Sequence, residues 1–124
     1  MPLLYNKGLI TMTEQNDIKQ LQEWLNRYTG TTLVIEKQEL DDTDIIHFVL
    51  SDVDERSQDN EIDDYLESAL LLRGEGRTQN AEGESVPVPG DTYEIITNDL
   101  RIDEINDEHV HLTTERATYK VSAK

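Results

Sequence analysis

Two imidazoles and a carboxylate stand at alternate positions near the end of the chain, in His109-Val-His111-Leu-Thr-Thr-Glu115. On an extended strand, successive side chains point to opposite faces, so His109, His111 and Glu115 share one face. Nitrogen and oxygen donors grouped this way suit a divalent metal ion if a further ligand converges on them. The alternation with Val110 and Leu112 also describes the solvated face of an amphipathic strand. Short motifs outside their structural context are mostly fortuitous, and this plainer reading is preferred. No metal or other cofactor is therefore expected, and His109, His111 and Glu115 stay as metal candidates.

The His-x-His pair followed by glutamate resembles the first motif of the cupin barrels. Asp103 and Ser122 occupy the places of that motif's glycines, and no histidine follows His111 to supply a second motif. The likeness covers seven residues and is not extended to the family. Asp52-Val-Asp54 opens like a calcium loop, but Arg56 and Ser57 stand where an oxygen ligand and a glycine are needed. Arg73-Gly-Glu-Gly-Arg77 has the glycines of a phosphate cradle without a following helix, and a bulged or bent strand explains both glycines more simply. Cysteine and a Gly-x-Ser-x-Gly elbow are both absent, which argues against nucleophilic catalysis and for a protein that is not an enzyme.

Charge is the other strong signal. Residues 41–67 hold eleven carboxylates and one base, Arg56, and so supply ten of the sixteen net negative charges. Such a field repels nucleic acid and anionic membranes and favours cationic partners. The leading expectation is a non-catalytic interaction module that docks a basic protein surface through Asp52, Asp54, Asp59, Asp63 and Asp64. One alternative is a DNA-mimic inhibitor of a DNA-binding protein. Another is a small-molecule or metal-binding β-barrel built on the His109/His111/Glu115 strand. No direct nucleic-acid or membrane binding is expected.

These residues need a scaffold, and 124 residues make one domain. An apolar fraction of 35% beside 31% charged residues predicts a thin core under a charged surface. No apolar run reaches the roughly 18 residues that span a bilayer, and the N-terminus lacks a signal-peptide core, so a cytoplasmic location is expected. Residues 1–12 read as an extension, with Met12 an alternative start. The single domain then runs over 13–124.

Ile18, Leu21, Trp24, Leu25 and Tyr28 form one stripe of a helix over 13–28, with Gly30 placed to end it. Strands are predicted at 32–36 and 45–50 around a turn at 41–44, the second apolar on both faces and therefore central. Residues 51–64 lack periodicity and read as an exposed acidic loop. The stretch 62–73 fits helix or strand. A strand through Arg77 is favoured, turning at 79–83 into an edge strand marked by Pro87 and Pro89. Alternation over 93–97, 100–105, 109–114 and 117–121 predicts a meander. The fold class expected is α+β: one N-terminal amphipathic helix on a mainly antiparallel meander or partly closed barrel.

Overall fold

The apolar stripe of the first helix sets the architecture, because it needs a surface to cover. In the structure, a computed structural model that describes residues 12–56 and 68–124, helix α1 spans Met12–Arg27. Ile18, Leu21, Trp24 and Leu25 are buried along it. Gly30, at φ +90°, takes the left-handed position that ends the helix. Its N–H donates to the Leu50 carbonyl at 2.7 Å, which ties the turn to the sheet.

Eight strands follow among the described residues: β1 Thr32–Glu39, β2 Asp42–Arg56, β3 Ala69–Gln79, β4 Ser85–Pro87, β5 Thr92–Ile96, β6 Arg101–Ile105, β7 His109–Thr113 and β8 Thr118–Ala123. All their pairings are antiparallel, in the order β4-β3-β2-β1-β8-β7-β6, with β5 pairing the N-terminal half of β3. The fold is α+β with an open sheet. The meander holds for β6–β7–β8, whereas β5 leaves it. Thr97–Leu100, with Asp99 at φ +59°, carries the chain from β5 to the opposite end of the sheet. Leu33, Ile35, Phe48, Leu50, Leu72, Leu112 and Val121 meet the helix stripe in one core.

Three local expectations change. The β1–β2 turn is Leu40-Asp41, not 41–44, since Asp42 already pairs Glu39. Ile45 and Val49 are 47% and 45% exposed although β2 lies inside the ladder, because the helix covers only the opposite face. Residues 51–56, expected as the start of an acidic loop, continue β2 as far as Arg56. A bulge between Leu50 and Asp52 breaks the alternation and then turns Val53 into the core. The rest of the expected loop, with Asp59, Asp63 and Asp64, lies outside the described residues, as do residues 1–11 and the first part of 62–73. From Ala69 onward the strand reading of that stretch is the observed one.

Candidate functional site

Helix α1 grips β6 at both ends, and this grip shapes the cluster on the outer face. Near the start of β6 the Asp17 carboxylate accepts the Ile102 N–H at 3.1 Å. Past its end, Trp24 Nε1 donates to the Asn106 carbonyl at 2.7 Å and the Tyr28 hydroxyl donates to the Asp107 carbonyl. The Asn106 side chain braces the same turn, its Oδ1 accepting the N–H groups of Glu108 and His109 at 2.8 and 3.0 Å. Between these anchors a bulge at Ile102/Glu104 advances the register by one residue. Glu104, not Asp103, therefore stands opposite His111.

The bulge creates a three-residue constellation. Glu104 Oε2 lies 3.1 Å from His109 Nε2, and Oε1 lies 3.9 Å from His111 Nδ1. The two imidazoles stack with ring centroids 4.5 Å apart. One donor atom from each of the three side chains falls within 4.8 Å of the others. His109 and His111 are half-buried and Glu104 is exposed. His111 Nε2 is buried with no hydrogen-bond partner. Lys120 is paired across from His111 on β8, while on β6 Asp103 sits beside the cluster. The Thr113 hydroxyl, 2.7 Å away, holds the Asp103 carboxyl below the usual carboxylate range, with Arg101 adding to the effect.

His109 and His111 thus come together as the strand alternation requires, but Glu115 does not join them. β7 ends at Thr113, and the Thr114 hydroxyl accepts the N–H groups of Arg116 and Ala117, both at 3.2 Å. This side-chain-closed turn carries Glu115 out of the strand, and its N–H donates to the Asn98 carbonyl. Glu104 was not legible as the carboxylate of the set. A hairpin about Asn106-Asp107 brings 102–104 opposite 110–112, but only the bulge selects Glu104 over Asp103.

The acidic segment is partly neutralised where it is described. Asp54 accepts from Arg73 Nε at 3.0 Å, whereas Arg56, the segment's base, pairs Glu94 outside it at 2.7 Å. Asp52 is exposed, and its Oδ1 accepts the Val53 N–H.

A YmzB-like protein family matches residues 14–124. The chain belongs to this family. The uncharacterized protein YmzB of Bacillus subtilis (strain 168) is 38% identical over 110 residues, which cover 82% of this chain and 91% of that relative. No solved structure matches. The span matched to the YmzB-like family holds all eight strands, nearly all of α1, and Glu104, His109 and His111. Neither the family description nor the relative's name states a reaction or a ligand, so the chemistry rests on the site itself. Among the described residues, no helix is long and apolar enough to cross a membrane.

Proposed function

We propose that this YmzB-like protein is a binding protein rather than an enzyme, and that Glu104, His109 and His111 hold a divalent transition ion such as zinc. The observation that carries this reading is the convergence of two imidazoles and a carboxylate within 4.8 Å, on a strand pair whose turn is braced by Trp24 and Tyr28 and whose β6 start is held by Asp17. Two nitrogens and one oxygen are borderline ligands that suit zinc, nickel or copper better than calcium or magnesium. Three protein ligands leave a coordination position open to water or a small ligand. Ligation through His111 Nδ1 moves the ring proton to the buried Nε2, which has no acceptor. A missing outer partner of that kind weakens metal binding by about 10- to 100-fold.

Calorimetry with zinc tests the reading on protein stripped of metal. One ion per chain is expected. Glu104→Gln and His111→Ala should weaken binding at least tenfold, while Glu115→Gln leaves it unchanged. Binding of less than a tenth of an ion per chain, or equal effects of the two glutamate substitutions, removes the proposal.

A second reading keeps the acidic segment as a docking surface for a basic protein. Its support is the β1–β2 tip, where Leu40 is 90% exposed beside exposed Asp41, Asp42 and Asp44. Asp52 and Asp54 share one strand face at about 6–7 Å, close to the spacing that DNA mimicry requires. Neutralising Asp41, Asp42 and Asp44 at the tip together with Asp52, Asp54, Asp59, Asp63 and Asp64 should abolish salt-sensitive binding to an arginine-rich peptide. Unchanged binding ends this reading, and competition between this protein and duplex DNA for a basic DNA-binding protein favours mimicry.

A further inference from the structure

Cations are scarce in this chain, with 11 lysines and arginines against 27 acids, and yet one groove brings two of them, Arg77 and Lys124, beside an imidazole. It lies on the outer sheet face where β2, β3 and β4 meet the last residue, and has a volume of about 370 Å³. His47, Arg77 and Lys124 line it with Val49, Thr78 and Ser85, and among the described residues no acidic side chain does. His47 and Arg77 are register partners across β2 and β3. Lys124 Nζ lies 3.4 Å from His47 Nδ1. Ser85 holds the guanidinium in place, its hydroxyl and carbonyl accepting from Arg77 Nε and Nη2 at 2.8 and 2.9 Å. Among the described residues neither Arg77 nor Lys124 forms an ion pair, whereas Lys37, Arg56, Arg73 and Arg101 all do.

We infer that this groove binds a small organic oxyanion, a carboxylate or phosphate carried on a short apolar body. A guanidinium already oriented by Ser85 loses little freedom when it takes an oxyanion through its remaining N–H groups. Lys124 adds a point charge, and Thr78 offers a hydroxyl, although that hydroxyl also donates to the Ile45 carbonyl. Val49, nearly half exposed, supplies the apolar wall. Glu75 stands opposite Val49 on the same face but does not line the groove, and it limits how far a second negative charge can extend. The volume falls within the range of small-ligand sites. This groove shares no residue with the Glu104–His109–His111 cluster, so the two proposals are tested on different side chains.

Amide and Arg77 side-chain NMR titrations of the full chain with butanoate, with inorganic phosphate, and with chloride at matched ionic strength test the inference. Saturable shifts centred on His47, Arg77 and Thr78 are expected with butanoate or phosphate and not with chloride, and the tighter binder identifies the class of ligand. Arg77→Gln should weaken binding about tenfold or more. Because that change also loosens β4, Lys124→Gln serves as the second variant, with weakening of severalfold expected and the fold untouched. Equal shifts with chloride, or full affinity in Lys124→Gln and Arg77→Gln, overturn the inference.

Discussion

Replacing Gly74 by alanine probes the bulge on which the long β2–β3 ladder turns. Gly74 is paired with Leu50, and a Cβ there would lie 2.0 Å from the Val49 carbonyl oxygen and 3.0 Å from Phe48 Cε2. Even close carbon–oxygen contacts between strands keep about 3.3 Å, so the two strands must part by more than 1 Å (the difference of those distances). A backbone oxygen cannot rotate away. Parting the strands costs two or three ladder hydrogen bonds at about 1 kcal/mol each and disturbs Leu50 and Phe48, for a total of about 3–4 kcal/mol. Gly76 is the natural control, since its nearest obstacle is the Ile46 Cδ1 methyl at 2.5 Å, the mobile end of a side chain. Gly76→Ala should cost about 1–2 kcal/mol.

Urea denaturation followed by Trp24 fluorescence reads both variants, because Trp24 is the single tryptophan and is fully buried. With a slope near 2 kcal/mol per molar, the midpoint should fall by about 1.5–2 M for Gly74→Ala and by about 0.5–1 M for Gly76→Ala. A Gly74→Ala midpoint close to wild type, or a larger loss in Gly76→Ala, refutes the reasoning.

Further outcomes follow from the helix contacts and from one buried phenol. Trp24→Phe leaves the Asn106 carbonyl without its 2.7 Å donor and should cost about 1–3 kcal/mol in urea denaturation. Asp17→Ala exposes the Ile102 amide at the β6 bulge; a loss of about 1–2 kcal/mol is expected, with zinc affinity reduced as Glu104 loses its register. Burial pushes the Tyr119 phenol up to about 12. The unfolded chain, with tyrosines near 10, then binds fewer protons than the native one in alkali. The stability contributed by neutral Tyr119 is complete below pH 10 and is lost as pH rises from 10 towards 12, a fall on the order of 2 kcal/mol. Tyr119→Phe should flatten that alkaline decline in denaturation midpoints measured from pH 8 to 12.

Most of the secondary structure was legible because it depends on neighbours in sequence. The stripe Ile18–Leu21–Trp24–Leu25 has one helical period, and it is buried as that period demands. Gly30 and Gly83 take the positive φ their turns require, and the prolines of the 85–89 stretch mark the edge of the sheet. Ser51–Arg56 was misread because a bulge shifts the alternation by one residue, and a phase shift looks like a loss of pattern. Glu115 was misplaced for a related reason, since the Thr114 hydroxyl closes a turn before the strand can carry the glutamate onward.

The chain alone determined its class, its helix, most of its turns and the facing of His109 and His111, because hydrophobic period and turn chemistry act over a few residues. Which carboxylate meets those imidazoles, and that His47, Arg77 and Lys124 share a groove, was decided by tertiary structure. Register across a sheet depends on bulges and on helix side chains 79 to 85 residues away in the chain, and no local pattern encodes them.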